Sequence, residues 1–369
     1  MTLVDVDVDV DVEPVRSVVS RAVAEAGPVA GSVPAGHPVL PPDASVWAPV
    51  SPCTDRCLPA PGSEPRVSGP RVVLRLVAFT VVLGLAAALF VVLPLLWTLR
   101  SWSGRRSWSG RRSWSGRGEL PTWLFRALLR TIGVRVVRHG PANLREDAGR
   151  GALVVANHVS WLDVLAFGAL GSVRMLAKRE IREYPLIGLV ARRIGTLFID
   201  RAELRELPGV VADVAGALRD GGLVGLFPEG TTWCGTAAGR FRRAGFQAAL
   251  DADAPVRPIA QRLLLPDGTP TTAGAFIGTD TVLATLLRVV ALPGLTLEMR
   301  VLPLLTPGPG ADRRDLARAA ELAVAAATGV PAPGRPAALA TGASAQALSA
   351  PALPTAPVRR PVEPVPSAA

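Results

Sequence analysis

The sequence predicts an α/β fold: one domain with a mostly parallel central sheet flanked by helices, preceded by an N-terminal membrane helix and bounded by disordered tails. Three observations predict it. Short, mainly apolar runs at 152–156, 173–177, 196–199 and 223–227 are bounded by polar residues or glycine, the pattern of strands buried on both faces. Between them, 181–194 and 203–220 have helical length, so strands and helices alternate. Upstream, Leu76–Trp97 runs for 22 residues without a charge. At 1.5 Å per residue that is roughly 33 Å of helix, enough for a bilayer core.

Taken in order, residues 1–70 carry 9 acidic and 4 basic groups and open on an Asp-Val alternation through Asp5, Asp7, Asp9 and Asp11. Rich in Pro, Ala, Ser and Gly, this stretch reads as a disordered acidic tail. Residues 71–100 form the membrane-embedded segment. About 70 residues precede it, so a signal peptide is disfavoured. Arg71 and Arg75 flank one side, while Arg100, Arg105, Arg106, Arg111, Arg112 and Arg117 crowd the other. The positive-inside rule then places everything C-terminal in the cytoplasm, and a shallow re-entrant hairpin would leave that unchanged.

Residues 101–118 are an Arg/Trp repeat, Ser-Trp-Ser-Gly-Arg read three times. Indole and guanidinium groups suit the lipid headgroup layer, and a tandem duplication tolerated as a linker is the alternative. Residues 119–330 hold the domain. It opens with a helix whose Leu124, Phe125, Leu128, Leu129 and Ile132 share one face. It continues past later strands at 256–260 and 295–302 and closes with an Ala-rich helix over 312–328. Residues 331–369, with 9 Pro in 39 positions, form a disordered Pro/Ala-rich tail.

Charge and cysteine use exclude several functions. The net charge of +10 is concentrated in residues 71–118, which carry 8 Arg and no acid, so it argues for one anionic surface rather than a nucleic-acid-binding fold. Three cysteines exclude a disulfide scaffold, and no four-ligand Cys/His zinc spacing occurs. Cys53 and Cys57 lie in the predicted tail with too little around them for a metal site. Cys234 lacks a second histidine to activate it as an acyl carrier. No metal is expected.

Chemistry points to His158, which follows a predicted strand and precedes Asp163 by five residues. Asp163 can hold the Nδ1 proton so that Nε2 serves as a general base. On a regular helix five residues lie about 140° apart, so the pair meets only across a loop-to-helix junction. Ser160-Trp161-Leu162-Asp163 supplies one as a capping box, and the competing reading is that Asp163 merely caps. Three further stretches end or start strands: Gly195 through Arg201, Phe227 through Thr231 with Glu229 in a turn, and Pro255 through Ile259. In an α/β sheet the loops at strand carboxyl ends converge on one crevice, so His158, Arg201 and Glu229 are expected as neighbours.

With these blocks in this order, residues 119–310 resemble the glycerolipid acyltransferases. The resemblance implies an enzyme moving a fatty acyl group from acyl-CoA or acyl carrier protein thioester onto a lysophospholipid hydroxyl, with no cofactor. His158 would be the general base and Asp163 its partner. Arg201, Glu229 and Gly230 would serve the acceptor site and Pro258 the acyl side, with Gly195 also among the substrate-binding residues. The family's basic element after the third block appears only loosely, as Phe241-Arg242-Arg243-Ala244-Gly245.

No Gly-x-Ser-x-Gly elbow occurs, which disfavours a serine acyl-enzyme. Of 40 basic residues only Lys178 is Lys; a phosphate or pantetheine contact would favour a compact ammonium there, and chance is the simpler reading. The expected acceptor is 1-acylglycerol-3-phosphate, with a lyso-ornithine lipid as runner-up. The reading from another class is a membrane-tethered protein that binds anionic lipids without activity. The expected location is the cell membrane with the domain on its cytoplasmic face; the partners are membrane lipids and substrates, not nucleic acid.

Overall fold

A computed structural model describes residues 50–101, 122–145, 149–171, 173–200 and 203–333. Helix α1 is Gly69–Ser101 and α2 is Thr122–Thr131. Then follow β1 (Val134–His139), β2 (Ala152–Ala156), α3 (Leu162–Leu170), β3 (Val173–Lys178), α4 (Pro185–Arg193), β4 (Leu197–Ile199), α5 (Leu207–Arg219) and β5 (Leu223–Leu226). The domain ends with α6 (Ala244–Asp251), β6 (Val256–Leu264), α7 (Val282–Ala291), β7 (Leu295–Val301) and α8 (Arg313–Thr328).

Seven strands form one sheet in the order β1-β7-β6-β2-β5-β3-β4. The five strands from β6 to β4 are mutually parallel, while β7 runs antiparallel to β6 and carries the parallel β1 with it. All five residues of β2 are buried. Because successive side chains of a strand point to opposite faces, Val154 and Ala156 join the core beneath α2, α3 and α7, with Leu129, Phe167 and Val289. Leu153 and Val155 face the second core, with Leu218 of α5, Phe246 of α6 and Ala320 of α8. Burial on both faces is why β2 reads as an uninterrupted apolar run.

Two differences from the sequence reading have local causes. The helix expected over 181–194 is split into a 3-10 turn, Arg179–Glu183, and α4. Pro185 lacks an N–H and pushes Tyr184 into the extended region (ψ 120), so the helix restarts at its first permitted position. The one expected over 203–220 likewise begins at Leu207, with Pro208 in its first turn. Helices α6 and α7 have no counterpart in the sequence reading.

The fourth difference concerns the N-terminal region. Residues 50–68, expected as the end of a disordered tail, pack on the domain. Val67 N–H donates to Ala291 O at 2.8 Å, and the Thr272 hydroxyl donates to Cys57 O at 2.7 Å. Helix α1 docks by its first turns: Val72, Leu76 and Phe79 lie against the core. Arg75 donates to the carbonyls of Val290, Leu292 and Pro293 at 2.8, 2.6 and 3.1 Å, satisfying orphan acceptors at the end of α7. The opposite face is bare, with Val73, Leu74, Val77, Val81 and Leu85 more than half exposed. Residues 69–88 are long and apolar enough to cross a membrane. The remainder of the acidic tail, 1–49, the Arg/Trp repeat from 102 on and the tail from 334 to 369 lie outside the described residues.

Candidate active site

The carboxyl ends of β2 and β5 are neighbours in the sheet, and the loops that leave them bring His158 and Glu229 together. After Ala156 the chain runs as a loop to Trp161, where α3 starts. Asp163, in the first turn of α3 and fully buried, turns its side chain back along that loop. One oxygen, Oδ2, lies 2.8 Å from His158 Nδ1 and accepts the N–H groups of Val159 and Ser160 at 2.7 and 2.9 Å. The two readings of Asp163 are therefore one arrangement: the same oxygen holds the helix entry and orients the imidazole. The Ser160 hydroxyl does not cap the helix and, like Asp163 Oδ1, is buried without a partner among the described residues. Half of the expected capping box is present.

A carboxylate against Nδ1 fixes the proton on that nitrogen and leaves Nε2 with a free lone pair. The ring is held on its other side by Phe227, stacked at 3.9 Å and 7°, which in turn meets Phe167 edge-on. The main chain of His158 is fixed as well. Its N–H donates to Glu229 Oε2 at 2.7 Å, and its carbonyl accepts Trp233 N–H at 2.7 Å. Asn157, one residue earlier, exchanges hydrogen bonds with Gln261 of β6 through both side chains at 2.8–3.0 Å.

Glu229 is buried at 3% exposure. Its second oxygen accepts Gly239 N–H at 2.9 Å, so the carboxyl ties the His158 loop to the far end of its own loop. Burial pushes its pKa up to about 8, opposed by the His158 and Gly239 N–H donors. Gly230 takes a left-handed conformation (φ 78) as its N–H closes a turn onto Phe227 O at 3.0 Å, which a residue with a Cβ rarely adopts. Gly239 packs beneath Trp233: a Cβ there would come within 2.4 Å of Trp233 Nε1.

The resulting pocket has His158, Glu229, Trp233 and Gly239 on one side. Glu321, Val324 and Thr328 of α8 and Ala332 beyond it form the other. Sequence reasoning missed this second wall. Glu321 accepts Phe241 N–H at 2.8 Å and pairs with Arg318. Its signal was available as a lone acid within the buried stripe Leu316, Ala317, Ala320, Val324.

The remaining predicted site residues are dispersed. Lys178 ends β3, exposed, in register with Ile199. Gly195 makes the left-handed turn before β4 (φ 78), its carbonyl accepting Arg174 Nε at 2.8 Å. Pro258 is buried within β6, opposite Val155. None of the three is among the pocket's lining residues. Arg201 lies outside the described residues. Among those described, no Lys or Arg lines the pocket.

Comparison with known proteins bears on this arrangement. Residues 135–262 match the model of the family described as Acyltransferase. The chain is 36% identical over 169 residues to a 1-acyl-sn-glycerol-3-phosphate acyltransferase of Neisseria gonorrhoeae, covering 46% of this chain and 64% of that protein. It is 37% identical over 172 residues to a lyso-ornithine lipid O-acyltransferase of Pseudomonas aeruginosa, covering 47% and 66%. The chain thus spans a little under two thirds of the length of these relatives. The crystal structure of a 1-acyl-sn-glycerophosphate (LPA) acyltransferase from Thermotoga maritima superimposes with a TM-score of 0.47 at 19% identity, over 70% of this chain and 96% of that one.

Proposed function

We infer the function from a chain that carries, over residues 135–262, a domain of the acyltransferase family: it transfers a fatty acyl group from a thioester to the free hydroxyl of a lysophospholipid. The observation that carries this reading is the His158–Asp163 pair at 2.8 Å, beside a pocket. In the proposed reaction Nε2 of His158 takes the acceptor's hydroxyl proton as that oxygen attacks the thioester carbonyl carbon. The tetrahedral oxyanion then collapses, the carbon–sulfur bond breaks, and the imidazolium returns the proton to the leaving thiolate. Asp163 stabilises the transient imidazolium through Nδ1–H. A thioester is already activated, so base, orientation and oxyanion donors suffice. Acyl-CoA or acyl carrier protein would bring the thioester.

For the acceptor we propose 1-acylglycerol-3-phosphate. The pocket's lining holds the carboxyl groups of Glu229 and Glu321 and no Lys or Arg among the described residues, so we assign the phosphate to cations outside it, with Arg201, two positions after β4 in the sequence, in that role. The identity to a lyso-ornithine lipid O-acyltransferase supports the second reading, in which that lysolipid is the acceptor. The bare face of α1 supports attachment to a membrane. Residues 50–68, before the helix, contact the domain that follows it, so both flanks lie on one side of the bilayer. We place them on the cytoplasmic side.

An acyl-transfer assay with lysophosphatidic acid, lyso-ornithine lipid and monoacylglycerol, each with both thioester carriers, tests the assignment. Lysophosphatidic acid is the expected best acceptor. Arg201→Ala should lower its kcat/KM by roughly 10–10³-fold, the weight of one or two charged hydrogen bonds, with little effect on monoacylglycerol. Equal losses on both would remove Arg201 from phosphate recognition, and preference for lyso-ornithine lipid would select the second reading.

A further inference from the structure

The loop that carries Glu229 also carries Cys234, and there the fold gathers every cysteine of the chain. Cys53, Cys57 and Cys234 place their sulfurs within 4.8 Å of one another, although 181 residues separate Cys53 from Cys234. Cys53 and Cys234 are buried, at 4% and 1% exposure, and Cys57 is half-buried. The sulfurs are also met by hydrogen-bond donors. Cys234 N–H points at Cys53 Sγ at 3.4 Å, and the Thr236 hydroxyl lies 3.1 Å from Cys234 Sγ. The Cys53 thiol, the Thr236 hydroxyl and the N–H groups of Thr236 and Ala237 all face Cys234 and lower its pKa, against burial, while Cys53 shifts the opposite way.

We propose that Cys53, Cys57 and Cys234 form a three-sulfur site for a thiophilic divalent cation, zinc foremost, that pins residues 53–57 to the loop after β5. The geometry suits this ion. Zinc–sulfur bonds of about 2.3 Å in a tetrahedron set sulfurs about 3.8 Å apart, and sulfurs already within 4.8 Å reach that spacing by side-chain adjustment. Three soft ligands with no carboxylate select zinc over magnesium or calcium. The fourth position is left to water or an added thiol. A disulfide would use two sulfurs at about 2 Å and strand the third, whereas a cation engages all three. The thiols lose their protons on binding, so occupancy should rise with pH. Cys234 shares its loop with Glu229, Trp233 and Gly239, so the cation would brace the pocket's wall from behind.

The site can be tested without any assay of acyl transfer, so its failure and the failure of the proposed function are distinguishable. These are the chain's three cysteines, so a thiol titration of the full chain in detergent reports this cluster alone. Purified under reducing conditions, the chain should hold about one zinc, with its thiols unreactive until a chelator removes the metal. Cobalt added to the metal-free wild type should give sulfur-to-metal charge-transfer absorption, a readout that needs no variant. Cys57→Ser, which changes the least buried sulfur, should take metal content towards zero while the thermal transition stays cooperative. Folded wild-type chain that gives no charge-transfer band would overturn the proposal. So would metal bound equally well by the Cys57→Ser chain, or a Cys53–Cys234 disulfide in the isolated protein.

Discussion

Replacing Asp163 by Asn tests how the loop between β2 and α3 works, because it removes a charge and keeps the shape. In the wild type one carboxylate oxygen accepts from three donors, His158 Nδ1 and the N–H groups of Val159 and Ser160, all within 2.9 Å. An amide oxygen placed there still accepts the two backbone bonds, so the helix entry persists at some loss. A buried imidazolium, however, would face a neutral group. Hydrogen bonds to charged groups contribute about 1.5–3 kcal/mol each, and the side chain is fully buried, so little of that is screened. Adding the weakened orientation of the ring, turnover should fall by roughly 10²–10⁴-fold, the range of general-base contributions. The assay is acyl transfer to lysophosphatidic acid in mixed micelles, with thermal unfolding run alongside. The same substitution in a His158→Ala background should cost almost nothing further, since Asp163 acts through the imidazole. An equal loss in both backgrounds would leave Asp163 as a helix-capping residue alone. Turnover of the Asp163→Asn chain within tenfold of wild type would do the same.

Glu229 carries a pH dependence of defined sign. Its folded pKa of about 8 lies above the ordinary value of 4.5, so the native state binds the extra proton and this group's contribution falls as pH rises between those values. Cys234 shifts the opposite way, so the comparison is between wild type and Glu229→Gln at each pH. Gln loses one of the two N–H bonds at every pH, and its deficit in unfolding free energy should narrow from pH 5 to 8, by at most about 1.4 kcal/mol per unit. A constant or widening deficit in denaturant titrations would mean that the two N–H donors keep Glu229 ionised throughout. Gly239→Ala pushes a methyl group to 2.4 Å from Trp233 Nε1, an overpacking worth about 1–3 kcal/mol. It should lower the melting temperature and raise KM as Trp233 shifts; unchanged values for both would show that Trp233 is free to move.

The parts of the fold written as local pattern were readable in the sequence. Strands β2, β3, β4 and β5 stand out as short apolar runs, and α8 is framed by Asp312, whose side chain accepts Arg314 N–H, and by left-handed Gly329. What escaped depends on distance in space. The reversal of β7 against β6 follows from pairing across the sheet, on which neither strand's composition bears. The pocket wall from α8 and the Asn157–Gln261 exchange likewise join segments far apart in the chain. Residues 50–68 read as a tail because their partners, Ala291 and Thr272, lie more than 200 positions away. At the site, the His158–Asp163 pair was legible because the loop between β2 and α3 is short. Gly195 and Pro258 shape a turn and a strand, and neither lines the pocket.

The most direct measurement is the turnover of purified wild-type and His158→Ala chains, given an acyl thioester and lysophosphatidic acid in mixed micelles. The wild type should form phosphatidic acid and the variant should lose roughly 10²-fold or more of that turnover, with unchanged thermal unfolding and vesicle binding. A folded His158→Ala chain that keeps more than about a tenth of wild-type turnover would contradict it, as would a wild type that acylates no lysolipid with either carrier.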